Sequence, residues 1–334
     1  MEGSGLYKLG ALALIAIVVI SLLTYATGSG RAAVEAVPTA LGESRPGAAA
    51  ALARKAEGDS AAPAAPVDVT CAPDGASRPL GREIHESSGV AVSRAHAGIF
   101  WTPNDSGDPF LYAVAAEGHT AGRVRVTGAS VQDWEDIDLG PCPGGGDCLY
   151  VADIGDNAAR RPFVTVYRLP EPAPGATASA AATAIRLRYP DGAHDAEATF
   201  VLNGAIHVVT KGESGSIAVY RAPANAGAGA EVTLERIREL APARVQRPER
   251  ITGADARADA RWIVLRTLRE AVFYPAGELT GSGPVGPHRV DLKGLNERQG
   301  EGIGFAPDGS LILTSEGGKK DQPATFARLS CTLE

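Results

Sequence analysis

Five short segments of the chain repeat a pattern of polar residues two positions apart: Glu86-Ser-Ser88-Gly-Val90, Asp133-Trp-Glu135-Asp-Ile137, Asp195-Ala-Glu197-Ala-Thr199, Arg250-Ile-Thr252-Gly-Ala254 and Gln299-Gly-Glu301-Gly-Ile303. On an extended strand, residues two apart project to the same side. If these strands stand around one axis, Ser88, Glu135, Glu197, Thr252 and Glu301 form a ring, with Glu86, Asp133, Asp195, Arg250 and Gln299 one layer along. Three carboxylates converging on an axis repel one another unless they are protonated or neutralised. A cation resolves the repulsion, and an all-oxygen set without Cys or His, helped by carbonyls beside the neighbouring glycines, suits Ca²⁺ better than Mg²⁺. The competing arrangement is a wet, metal-free channel whose carboxylates bond to backbone N–H groups or to Arg250.

A second set of candidates lies in Asn104-Asp-Ser-Gly-Asp108, Asp153-Ile-Gly-Asp-Asn157, Thr210-Lys-Gly-Glu213 and Ser315-Glu-Gly-Gly-Lys-Lys320. Asp, Asn and Gly are what ordinary turns demand, so each residue alone reads as turn chemistry. Taken together, Asp153, Asp156, Asn157, Lys211 and Glu316 surround the mouth of the expected channel, and Arg160 and Lys211 could meet a phosphate beside a second cation. There is no G-x-S-x-G elbow for a serine nucleophile. His194 beside Asp195 has the composition of an acid–base pair, and a surface histidine is the plainer reading.

The elements that must position these residues are short strands. Each repeated segment is followed by a turn and an apolar run: Ile99-Phe-Trp-Thr, Leu149-Tyr-Val-Ala-Asp, Ile206-His-Val-Val-Thr, Trp262-Ile-Val-Leu-Arg and Leu311-Ile-Leu-Thr-Ser. Three units show a third strand, in Phe110-Leu-Tyr-Ala-Val, Val164-Thr-Val-Tyr-Arg and Ile217-Ala-Val-Tyr-Arg. A polar-apolar strand leads into each later unit, in Arg123-Val-Arg-Val, Ile185-Arg-Leu-Arg, Leu234-Glu-Arg-Ile-Arg and His288-Arg-Val-Asp-Leu, and Leu80-Gly-Arg-Glu-Ile84 stands in that relation to the first. Steps of roughly 45 to 60 residues match four-stranded blades, so an all-β, five-bladed propeller is expected, closed by pairing the chain ends. A sixth blade hidden in the longer steps, or a β-sandwich, are the alternatives.

The chain has 334 residues, 44% of them apolar, a net charge of −7 and no run of Lys and Arg that could track a phosphate backbone, which argues against nucleic acid as a partner. Residues 1–27 hold an apolar stretch, Leu9 to Ala26, long enough to act as a membrane anchor, the preferred reading, or as a cleaved signal peptide. Residues 28–66 are an Ala, Gly, Pro and Ser linker too poor in apolar surface to offset its ordering entropy, and 67–334 carry the propeller. An exported chain meets oxidants, so its four cysteines are expected as Cys142–Cys148, across a glycine-rich loop, and Cys71–Cys331, across the seam, rather than as free thiols. The expected partners are the membrane, through the apolar stretch, and a small phosphorylated ligand or a protein.

With the ring Ser88, Glu135, Glu197, Thr252, Glu301 and the segment Gly300-Glu-Gly-Ile-Gly-Phe305, the chain resembles the calcium-activated nucleotidases of the apyrase type, five-bladed propellers with Ca²⁺ on the axis. The Asp133-Trp-Glu-Asp-Ile and Asp153-Ile-Gly-Asp-Asn stretches are also similar to phytase-like bacterial exported propellers. The resemblance implies metal-assisted hydrolysis of phosphoesters or phosphoanhydrides. A dense Arg and Lys clamp for phosphate is missing from the pattern. The reading favoured by the residues is therefore a Ca²⁺-centred extracytoplasmic binding module, with a Ca²⁺-dependent phosphohydrolase as the alternative.

Overall fold

Apolar runs bounded by Gly, Asn, Asp and Pro become strands because an alternating or continuously buried run of that length fits a pleated sheet with both faces covered. A computed structural model describes residues 68–333 except 225, 228, 230 and 319–321. The membrane anchor or signal and the linker expected in 1–66, and Lys319 and Lys320, lie outside the described residues. Among the described residues no helix is long and apolar enough to cross a membrane.

Four of five sheets follow the chain in order. Blade 1 holds β3 (Ala91–Val92), β4 (Ile99–Pro103), β5 (Phe110–Ala115) and β6 (Thr120–Arg125). Blade 2 holds β7 (Trp134–Pro141), β8 (Asp147–Asp153), β9 (Val164–Pro170) and β10 (Thr183–Arg188), with β14 (Glu231–Thr233) added in parallel outside β10. Blade 3 holds β11 (Ala196–Leu202), β12 (Ala205–Thr210), β13 (Ile217–Arg221) and β15 (Glu235–Ala241). Blade 4 holds β16 (Ile251–Ala256), β17 (Trp262–Thr267), β18 (Glu270–Pro275) and β19 (His288–Asp291), with the short helix α1 (Ala276–Thr280) after β18.

Blade 5 joins the two ends of the domain. Its order is β20 (Gly300–Phe305), β21 (Leu311–Ser315), β22 (Thr325–Leu333) and β1 (Val69–Pro73), and β2 (Arg78–Pro79) also pairs with β22. Cys71 stands opposite Cys331 in the β1–β22 ladder, and the two are bonded. The closing strand differs from the one expected from the sequence. Leu80 to Ile84 is not a strand: the chain turns there, Ile84 N–H donating to the Gly81 carbonyl at 2.9 Å. A Cβ on Gly81 would meet Thr120 Oγ1 at 2.3 Å, and the turn places Ile84 fully buried in the apolar layer between blades 5 and 1.

Five apolar layers, one between each pair of neighbouring blades, hold the ring together, which settles five blades over six and a closed propeller over a sandwich. Trp101 of blade 1 packs in one layer with Trp134 and Leu149 of blade 2. Phe200 of blade 3 shares another with Leu265 of blade 4. Across the seam, the Phe100 and Phe326 rings lie 5.4 Å apart. Each fully buried Leu, Ile or Phe in these layers contributes about 1.5–3 kcal/mol. The second disulfide, Cys142–Cys148, staples the β7–β8 turn, where Gly145 and Gly146 take positive φ of 93° and 74°.

Candidate functional site

The repeat legible in the sequence is a β-bulge. In blade 2, Trp134 pairs with Asp153 but Asp136 pairs with Ala152, leaving Glu135 as an extra residue. The same slip occurs between Ala196 and Ala198, leaving Glu197, and between Ile251 and Gly253, leaving Thr252. In blade 5 it falls between Gly300 and Ile303, around Glu301. Blade 1 obeys it too: Ser87 faces Asn104 and Ala91 faces Trp101, so the inner strand uses one more residue than its partner, and Ser88 follows the last pair. All five ring residues therefore occupy one structural position, the residue that leaves the ladder at the end of the channel where the inner strands begin.

Burial and charge bring three of them into one electrostatic unit. Glu197 and Glu301 are 8% and 6% exposed, while Glu135 keeps part of its surface accessible. Burial pushes Glu135 well above the usual carboxylate range, and Glu197, Asp133 and Glu301 push it further. Glu301 is raised likewise by burial and then by Glu197 and Glu316. Glu316 is itself raised by burial and by Glu86. Glu197 is lifted by burial to about 7 even with Lys211 beside it. Ser88 is 2% exposed and its hydroxyl has no hydrogen-bond partner, whereas Thr252 donates to the Glu301 carbonyl at 3.4 Å.

Lys211 supplies the positive charge at this mouth. Its ammonium contacts Glu197 directly and lies 3.6 Å from Asp195 and 3.4 Å from Glu213. Burial works against that charge, and Glu197 with Asp195 and Glu135 outweighs it, so Lys211 is held protonated. Arg250, which could have neutralised the ring, pairs instead with Glu213 at 2.8 Å. Asp133, Glu135, Asp195, Glu197, Glu301 and Glu316 outnumber the cations that act on them, Lys211 with Arg161, Arg266 and Arg298, so burial and mutual repulsion raise Asp133, Glu135, Glu197, Glu301 and Glu316 towards their protonated forms.

The other predicted binding residues serve the local structure. Asp153 accepts from the N–H groups of Gln132 and Asp133 and pairs with Arg161 at 2.9 Å. Asp156 caps its own loop by accepting from Arg160 and Arg161 N–H at 2.7 and 2.6 Å, and donates its N–H to Asp195. Asn157 is exposed. Lys211 is engaged by carboxylates, so these residues are not gathered as a phosphate site around it. His194 turns to Asp191 at 3.0 Å and to the Tyr220 hydroxyl, not to its neighbour Asp195.

Sequence alternation missed a second set of carboxylates deeper in the channel. After the bulge the side-chain parity switches, so Asp136 and Asp138 enter the channel as well as Glu135. Asp136, fully buried, accepts from Ile137, Thr199 and Ala254 N–H at 2.9, 2.8 and 3.3 Å and so ties blades 2, 3 and 4. Asp138 accepts from Leu139 and from Val201 of blade 3, and Asp255 from Phe305 of blade 5. Asp138 and Asp255 also hydrogen-bond each other; burial raises both, Asp255 to about 6. They line a cavity of about 330 Å³ at the far mouth. The inner strands leave N–H groups unpaired along the axis, and these aspartates satisfy them. In blade 4, Arg266 is fully buried, donating to the Gly302 and Thr314 carbonyls and pairing with Glu297.

No protein-family model matches the chain, and no curated protein matches it by sequence. Among solved structures it is similar to the PQQ-bound aldose sugar dehydrogenase of Streptomyces coelicolor, at 11% identity and a TM-score of 0.46, covering 79% of this chain and 99% of that one. It is similar to a gluconolactonase of Xanthomonas campestris at 13% identity and 0.40, covering 82% and 99%. A third is regucalcin, a calcium-binding protein of Agrobacterium tumefaciens, at 14% identity and 0.40, covering 75% and 92%. None of the three is a nucleotidase or a phytase. Likeness at this level says nothing of the chemistry, and the blade count rests on the strand pairing of the chain itself.

Proposed function

We propose that this chain is an extracytoplasmic propeller that binds a divalent cation, Ca²⁺ by its donor types, at the inner-strand mouth of its channel, and uses that site as a ligand- or protein-binding module. One observation carries the reading: Glu135, Glu197 and Glu301 come from three different blades and each is raised by burial and by another carboxylate of the cluster. Buried carboxylates in excess over cations hold either protons or a metal. The donor set fits a hard cation, being all oxygen, and the unpartnered Ser88 hydroxyl adds a donor. Among the described residues no three His, Cys, Asp or Glu side chains are already gathered to hold an ion. Binding therefore asks Glu197 to exchange Lys211 for the metal. A bound Ca²⁺ would supply fixed positive charge at which an anionic group could be held.

The two disulfides fit an oxidising compartment. Tethering to the membrane through Leu9 to Ala26 completes the proposal. The phosphohydrolase alternative has no observation of its own in its favour, because Lys211, the cation expected to meet phosphate, is committed to carboxylates. The test is thermal unfolding of the purified, oxidised chain in chelator and then across Ca²⁺ and Mg²⁺ titrations, since a ligand of the folded state raises its stability by mass action. A saturable rise with Ca²⁺ supports the site. No rise, with no metal found by elemental analysis, removes it.

A further inference from the structure

In three blades the residue after the last paired position of the second strand turns back onto the inner strand. Asp105 of blade 1, Lys211 of blade 3 and Glu316 of blade 5 donate their N–H groups to the carbonyls of Glu86, Asp195 and Gln299 at 3.1, 3.0 and 2.9 Å. Their side chains share the mouth: Glu316 acts on Asp105 and on Glu197, and Lys211 acts on Glu316. Two blades thus place a carboxylate at this position and one places an ammonium. Among the described residues, Lys211 is the one cation within ion-pairing distance of a ring carboxylate.

The backbone of Lys211 is pinned where this ammonium is delivered. Its N–H bonds to Asp195 of its own blade, and its carbonyl accepts from Ile251 N–H of blade 4 at 3.1 Å. From that fixed base the side chain reaches two kinds of partner. The inner one is the buried Glu197, which the ammonium contacts directly. The outer one is Glu213, 3.4 Å away with its side chain 38% exposed, which also pairs with Arg250 at 2.8 Å. A small swing of the flexible lysine stem therefore exchanges one carboxylate for another without moving the strand.

We propose that Lys211 is the specificity-determining residue of the axial cation site: a tethered ammonium that fills the site in the metal-free chain, shuts out monovalent cations, and yields to a divalent ion by withdrawing to Glu213. The inference rests on the cation site proposed above. A group joined to the chain binds intramolecularly, with no loss of translational freedom. Sodium or potassium brings the same single charge and must come from solution, so it gains nothing by displacing the ammonium. A Ca²⁺ ion brings twice the charge to Glu135, Glu197 and Glu301, and the displaced ammonium keeps a carboxylate partner.

The experiment is a calorimetric Ca²⁺ titration of the oxidised parent and Lys211→Met proteins, in sodium chloride and in tetramethylammonium chloride of the same ionic strength. The parent should bind Ca²⁺ equally well in the two salts. Lys211→Met should bind it about tenfold or more tighter than the parent in tetramethylammonium and lose affinity in sodium, which can now enter. A second measurement needs no variant and decides the matter where Lys211→Met fails to fold: acetylation of Lys211 by an amine-reactive ester, read by mass spectrometry, should speed up when chelator is replaced by saturating Ca²⁺. Lys211→Met binding no tighter than the parent, equal sodium sensitivity in both proteins, or Lys211 labelling that does not rise with Ca²⁺ overturns the inference and leaves the cation site of a Ca²⁺-binding parent standing. Absence of Ca²⁺ binding in both proteins removes the cation site and the inference with it.

Discussion

The carboxylate of Asp136, on blade 2, accepts a hydrogen bond from the backbone N–H of Ala254, on blade 4, at 3.3 Å across two blade interfaces. Thr199 of blade 3 donates to the same oxygen at 2.8 Å. One side chain thus stitches three inner strands whose edges face the axis. Asp136→Ala leaves buried N–H groups of three residues without an acceptor, and a loss of about 3 kcal/mol or more in denaturant unfolding is expected. A midpoint within 0.5 kcal/mol of the parent, in the range of ordinary surface substitutions, would show that this stitch is dispensable.

Gly89 makes room for that carboxylate. A Cβ there would meet Asp136 Oδ1 at 2.5 Å and the Asp136 Cα at 2.7 Å, and backbone cannot move aside cheaply. Gly89→Ala should therefore destabilise by about 1–3 kcal/mol, whereas Gly144→Ala, with nothing within 4 Å, should be near neutral. Equal stability of the two variants contradicts the packing described.

How much of this was legible in the sequence follows from the bulge. The inner strands and their partners could be aligned because Ser88, Glu135, Glu197, Thr252 and Glu301 all follow the last pair before the ladder slips. A strict two-residue alternation cannot foresee such a slip, so Asp136, Asp138 and Asp255 went unread although they line the same channel. Lys211 reads in the sequence as a cation for phosphate, and spacing does not reveal that it meets Glu197 across the bulge. The seam is expected at Leu80–Ile84, an apolar-bounded run, while Val69–Pro73, of the same length and marked by Cys71, makes it. Arg266, fully buried in a strand that reads as an apolar run, carries no sequence signal of its carbonyl partners.

The two disulfides should differ in weight. Cys71 and Cys331 are 260 residues apart in sequence, Cys142 and Cys148 only 6. Replacing the first pair by Ser should lower stability by about 2–5 kcal/mol, and replacing the second by less, because a longer closed loop restricts the unfolded chain more. Equal losses would remove the role assigned to the seam.

Stability should fall as pH rises in the absence of metal. Burial lifts Glu197 to about 7, Asp105 to about 7 and Asp255 to about 6, and raises Glu135 and Glu301 as well. Between the unfolded carboxyl values near 4 and these raised values, the folded chain binds more protons than the unfolded one, so the stabilisation is full at the acidic end and is lost as pH climbs through the folded values. Thermal midpoints in chelator should decline from about pH 5 to about pH 8, and saturating Ca²⁺ should flatten the decline. A midpoint that climbs over this range contradicts the charge account of the mouth.

The most direct test of the axial cation site is a calorimetric Ca²⁺ titration of the oxidised chain near pH 7, repeated in two buffers of different ionisation enthalpy and with Glu197→Gln. Saturable binding that releases protons, and is abolished or severely weakened by Glu197→Gln, is the predicted result, because the metal must displace protons from Glu135 and Glu301 and the ammonium of Lys211 from Glu197. Ca²⁺ binding that leaves the proton count unchanged and is indifferent to Glu197→Gln, or no saturable binding at all, contradicts it.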